Sequence, residues 1–134
     1  MNCVLKELTI KTSSKNQLLD ITLDVQKIVS ESKVMEGLCL VYCPHTTAGI
    51  IVNENADPDV VSDLLNALEA MVPKIKFQHS EGNSDAHLKS TLVGCEKSFI
   101  IQNGRLLLGN WQGIFFTEFD GPRQRKVCIK IVPC

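Results

Sequence analysis

The sequence predicts one α+β domain, and three observations carry that reading. Apolar patterns with strand and helix periods follow one another as strand pair, helix, strand pair, long helix, short helix and a terminal block of strands, not in the regular alternation that a parallel sheet requires. The terminal block contains Asn103-Gly104 between two apolar runs, the preferred two-residue signal of an antiparallel hairpin. Finally, the 134 residues contain no linker-like Pro/Gly/Ser stretch and no charge block, and their 44% hydrophobic and 22% charged content is ordinary for a globular chain.

Each element has its own local reason. Val4 to Lys11 alternates loosely, Ser13-Ser14-Lys15-Asn16 supplies turn chemistry, and Leu18 to Ile21 is a second apolar run, so the spacing predicts a hairpin. Thr22 is the expected cap of a helix reaching about Ser32, with Ile21, Val25, Ile28 and Val29 on one stripe. Leu38 to Tyr42 and Gly49 to Asn53 read as two buried strands joined through Pro44. Asp57-Pro58 opens a long helix with Val61, Leu64, Leu65, Leu68 and Val72 on one face, stopped by Pro73. Asp85 is the expected cap of a short helix over Ala86 to Val93, on which His87 and Thr91 share a face. Ser98 to Ile101, Arg105 to Leu108, Ile114 to Phe119 and Val127 to Val132 then form at least four antiparallel strands.

Composition excludes several function classes. The 14 basic and 15 acidic residues are well mixed, so no broad positive field exists for a nucleic-acid backbone. Lys74, Lys76 and the run Arg123 to Lys126 read as solvated faces, with a ligand role kept open for Arg123 alone. No apolar run approaches the roughly 20 residues that span a bilayer. The N-terminus does not resemble a signal peptide, so the six cysteines are expected to be reduced thiols in the cytoplasm, most of them in the core.

All three histidines fall in two polar, glycine-bearing segments, Cys43 to Gly49 and Phe77 to His87. Imidazole titrates near neutrality and is the commonest metal ligand, so this concentration marks the place to look for chemistry. His79 and His87 with His45 would supply three nitrogen ligands and leave a fourth position of a tetrahedral site open, while Glu81 or Asp85 orients a ring. Exposed loop histidines with ordinary hydrogen bonds explain the same spacing. Thr46, Thr47, Ser90 and the amides around Gly49 form a candidate anion cradle to which Lys89 adds charge, although threonines there also suit turn hydroxyls. Trp111, bracketed by Gly109 and Gly113, is either a core residue or a flat pocket wall. Glu118, among Phe115, Phe116 and Phe119, either faces solvent or is a general base whose pKa is raised by apolar neighbours.

At His45-Thr46-Thr47-Ala48-Gly49, at Asn53 to Pro58, at His79 to Lys89 and at Trp111 to Arg123, the sequence resembles the YjbQ-like family. The likeness covers nearly the whole chain, is thin over the first 35 residues, and departs at Asn110, where the family usually has threonine. It implies a sandwich-like mixed or antiparallel sheet with two to three helices, a homotrimer, and a divalent metal, with zinc expected, held by His45, His79 and His87 near a subunit boundary. It further implies a transferase resembling secondary thiamine-phosphate synthases, which join a hydroxymethylpyrimidine pyrophosphate to a thiazole phosphate. Lys89 and Arg123 would then neutralise the leaving pyrophosphate, Glu118 would orient the nucleophile or a ring nitrogen, and Trp111 would stack on a heterocycle. A metal-dependent hydrolase of a small phosphorylated metabolite, or a ligand-binding module without turnover, fits the same residues.

Overall fold

The computed structural model describes residues 2–134. Strands β1 (Val4–Lys11), β2 (Gln17–Asp20), β3 (Glu36–Tyr42), β4 (Ala48–Glu54), β5 (Glu96–Gln102), β6 (Arg105–Leu106), β7 (Gln112–Glu118) and β8 (Gln124–Pro133) are joined by helices α1 (Thr22–Ser32), α2 (Pro58–Ala70) and α3 (Ser84–Val93). They form a five-stranded sheet in the order β1-β8-β3-β5-β6 and a three-stranded sheet in the order β2-β7-β4, every described pairing being antiparallel. Period-two alternation places Cys39 and Val41 of β3, Phe99 and Ile101 of β5, and Val127, Ile129 and Ile131 of β8 on one inner face, opposite Ile50 of β4 and Ile114 and Phe116 of β7. The stripe Ile21, Val25 and Val29 joins that core from α1, as its spacing predicts. This is the α+β sandwich expected from the sequence.

Pairing departs from the sequence reading at the first hairpin. β1 lies along β8, from Val4 opposite Ile131 to Lys11 opposite Gln124, whereas β2 pairs with β7 in the other sheet. The segment Thr12 to Asn16 therefore carries the chain between sheets, as do Cys43 to Thr47 and Phe119 to Arg123. Backbone bonds tie these crossings together: Thr12 N–H donates to Arg123 O at 3.0 Å, Phe119 N–H to Thr47 O at 3.2 Å and Gly121 N–H to Lys15 O at 3.2 Å. Three crossings thus converge at one end of the sandwich. The Asn103-Gly104 hairpin forms as predicted, with φ of 52° and 74°, though β6 stops at Leu106.

The helix caps differ in detail. Asp57 caps α2 by accepting from Asp59 N–H at 2.9 Å. Thr22 is instead the first residue of α1, its amide and hydroxyl both donating to the Asp20 carboxylate at 2.9 and 2.6 Å, and its oxygen accepts from Ile114 N–H at 2.9 Å. Asp85 sits inside the first turn of α3, after Asn83 at the cap position, and its carboxylate accepts from Lys15 Nζ at 2.7 Å.

Candidate functional site

His45 rides the crossing from β3 to β4, which Pro44 starts by ending the β3 ladder. His79 lies on the irregular segment before α3, and His87 on the first turn of α3. All three rings, with Thr46, Thr47, Glu81, Asn83, Asp120, Arg123 and Arg125, line a pocket of about 500 Å³ at the converging crossings. His79 and His87 meet edge to face, centroids 5.4 Å apart and rings at 87°, and His79 Nε2 lies 3.8 Å from Glu81 Oε1.

His45 is differently committed. Its Nε2 accepts the Lys126 N–H at 3.0 Å, which places the proton of the neutral ring on Nδ1. Burial, and next the positive charge of Arg125, hold its pKa below the usual histidine value. Neither nitrogen of this tautomer offers a free lone pair. Among the described residues no group of three His, Cys, Asp or Glu side chains is arranged to hold a metal ion. The residues that fit a metal are therefore His79 and His87, two of the four ligands that a tetrahedral site takes.

The strongest charge arrangement in the site is one that the sequence reading missed. Arg125 is 3% exposed and Glu118 is fully buried, because both stand on inward-facing positions, in line with Val127, Ile129 and Ile131 on β8 and with Ile114 and Phe116 on β7. Arg125 Nε donates to Glu118 Oε1 at 2.9 Å, and Nη2 donates to Glu118 Oε2 and to Thr47 Oγ1, the latter at 2.8 Å. Glu118 also accepts from Thr12 Oγ1 at 2.8 Å and from the amides of Phe119 and Asp120 at 3.1 Å. Burial alone would raise its pKa, but Arg125, Thr12 and the Asp120 amide outweigh it and hold the carboxyl below its ordinary value. Glu118 is thus neither solvent-facing nor a base of raised pKa. It is a fixed counter-charge that positions Arg125, whose Nη1 makes no hydrogen bond among the described residues. The signal that finds Arg125 is strand alternation: counting back in twos from Ile131 puts it on the buried face.

The other expected site residues divide. Thr46 is exposed on the pocket wall, while Thr47 is buried with its hydroxyl oxygen accepting from Arg125 Nη2. Arg123 Nε donates to Asp120 O at 2.8 Å and Nη2 to Asp120 Oδ2 at 3.1 Å, so Asp120 aims it along the rim. Asn83 Nδ2 donates to the same Oδ2 at 2.9 Å, leaving its Oδ1 buried and without a partner among the described residues. Lys89 does not line this pocket: it is 1% exposed and bound to Glu69 and Asn16, so its charge is already used. Ser90 donates to Ala48 O at 2.8 Å, tying α3 to β4. Trp111 is 65% exposed at the start of β7, the opposite end from Glu118, so it neither joins the core nor walls the pocket. Cys43, next to the motif, is buried with its thiol pushed up to about 11, and Cys39 to about 12, so neither is a nucleophile at neutral pH.

Residues 6–134 match the family described as UPF0047 protein YjbQ-like. The chain belongs to the YjbQ family. It is 56% identical over 124 residues to the UPF0047 protein MJ1081 of Methanocaldococcus jannaschii, covering 92% of this chain and 90% of the relative. It is 49% identical over 131 residues to YugU of Bacillus subtilis, covering 96% and 99%. The crystal structure of an uncharacterized YjbQ-family protein from Clostridium acetobutylicum superposes with a TM-score of 0.92 at 55% identity, covering 95% of this chain and 99% of that one. The YjbQ fold expected from the four motifs is therefore shown.

Proposed function

We propose that the pocket binds a small phosphorylated metabolite and acts on it with the help of a divalent metal, zinc being the expected ion. One observation carries the reading. A buried guanidinium, Arg125, clamped by Glu118 and Thr47 and with Nη1 unbonded among the described residues, lines a pocket whose rim holds a second guanidinium, Arg123. Planar forked donors of this kind match phosphate oxygens, and their positions are set before the ligand arrives. The pocket volume of about 500 Å³ is that of a small-metabolite site.

The preferred reaction is the one the family resemblance implies, joining a hydroxymethylpyrimidine pyrophosphate to a thiazole phosphate with release of pyrophosphate. Arg125 and Arg123 would receive the charge that develops on the leaving pyrophosphate. Glu81, exposed on the pocket wall beside His79, would exchange a proton with the incoming nucleophile. A metal bound by His79 and His87 would supply further neutralisation of phosphate charge. Hydrolysis of one phosphorylated half would use the same groups. The proposed assembly is the homotrimer that the resemblance implies, self-association being supported by the apolar surface that one chain leaves uncovered, and the proposed compartment is the cytoplasm, supported by six free cysteines.

The test uses purified protein with each phosphorylated half alone and with both, followed by phosphorus NMR and elemental analysis. Product formation only with both halves, and loss of bound zinc in His79→Ala, are expected. Phosphate release from one half alone indicates the hydrolase. Full zinc stoichiometry in the variant removes His79 from the site, and no binding of pyrophosphate to the native protein overturns the phosphate reading.

A further inference from the structure

The structure assigns the organic part of the ligand to a second cavity, one that shares His79 with the pocket of the two arginines, with Phe77 as its stacking surface. This inference rests on the phosphate reading and deepens it. The second cavity, of about 210 Å³, is lined by Lys15, Phe77, His79, Gly82, Ser84 and Asp85, and shares His79 with the main pocket. Its chemistry is the complement of its neighbour's. Lys15 Nζ and Asp85 Oδ2 are 2.7 Å apart and largely satisfy one another, so this side offers no free cation to a phosphate. Phe77 offers a partly exposed ring, 37% accessible, and the space around Gly82 is open, with nothing within 4 Å of the position its Cβ would take. A ligand reaching from Arg125 across His79 thus passes from forked cationic donors to an aromatic face.

The arrangement also replaces the expected stacking residue. Trp111 stands at the opposite end of β7, roughly 20 Å from Glu118 at the rise of a strand, and lines neither cavity. Phe77 is the aromatic residue at this end of the sandwich that shares a cavity with a pocket histidine. A flat, weakly polar ring attached through a short link to a phosphoryl group fits the pair of cavities, while a phosphorylated chain without a ring leaves the second one unused.

Calorimetric titration of the native protein and of Phe77→Ala with methyl phosphate and with phenyl phosphate tests the assignment. Stacking against one aromatic face predicts that the native protein binds phenyl phosphate about three- to tenfold more tightly than methyl phosphate. Phe77→Ala should abolish that preference while leaving the affinity for methyl phosphate unchanged and the far-ultraviolet circular dichroism native-like. Equal affinities in the native protein, or a preference that survives in Phe77→Ala, overturn the second cavity alone. Failure of both phosphates to bind overturns the phosphate reading and this inference with it.

Discussion

Arg125 and Glu118 show how one buried pair can set both the charge of a pocket and the stability of the chain around it. Taking one partner away strands the other's charge in the core, so Arg125→Met should lose about 3–5 kcal/mol at neutral pH. The pH dependence should change sign as well. The folded carboxyl of Glu118 lies below its unfolded value of 4.5, so its contribution is full above that pH and is lost as pH falls through the depressed folded value. In the variant, burial without a counter-charge favours the protonated acid, and acidification towards pH 4 should recover stability. Urea unfolding of both proteins at pH 7 and pH 4 measures this, and parallel losses in the two would mean that Arg125 does not hold Glu118 ionised. These roles were only half legible in the sequence. An isolated glutamate among phenylalanines stands out in the sequence, but its partner reads as one more charge in a basic run.

Among the elements, α3 places His87 by resting its C-terminal end directly on β4. A Cβ added at Gly49 would meet Gly94 O and Val93 Cγ2 at 2.5 Å, while Lys97 Nζ donates to Ile50 O at 2.9 Å and Val93 O at 3.0 Å, fastening the same junction. Gly49→Ala must push helix and strand apart, and should cost about 1–3 kcal/mol in urea unfolding. It should also shift the His87 ring resonances by proton NMR, since that ring sits on the displaced helix; an unshifted His87 would mean that the contact does not position the site. Local signals were sufficient for some elements. Asn103-Gly104 specified its hairpin because both positions need positive φ, and Asp57-Pro58 specified the start of α2. The turn residues Ser13 to Asn16 also promised a hairpin, but they serve a crossing, because turn chemistry reports that a chain bends and not where it goes next.

For the molecule as a whole, the accessible area of 7917 Å² exceeds the roughly 7,000 Å² typical of a monomeric protein of this mass. The excess coincides with uncovered apolar surface. Val132, Leu38 and Ile100 are direct neighbours across β8, β3 and β5 on the outer face of the large sheet, all exposed, with Leu5 and Tyr42 on the same face. The predicted stripe of α2 exists, yet none of its residues is fully buried. Contiguous exposed apolar patches of this kind mark interaction surfaces. The proposed trimer predicts a sedimentation mass three times 14.8 kDa, falling to that of one chain in the double variant Leu38→Lys, Ile100→Glu with its circular dichroism intact. A native protein that sediments as a monomer at micromolar concentration would overturn it.

Local pattern alone sets the fold class, the stripe of α1, the start of α2, the sharp hairpin and the histidine-bearing segments that line the pocket. Each of these follows from periodicity or from backbone conformation within a few residues. Long-range packing is what separates β1 from β2, commits the charge of Lys89 to Glu69 and the lone pair of His45 to the Lys126 amide, and brings Arg125 rather than Trp111 to the site. The reason is distance along the chain. Bonds such as Thr12 to Glu118 and Thr47 to Arg125 join residues 106 and 78 positions apart, and a local pattern tells which way a side chain faces, not what it will meet there.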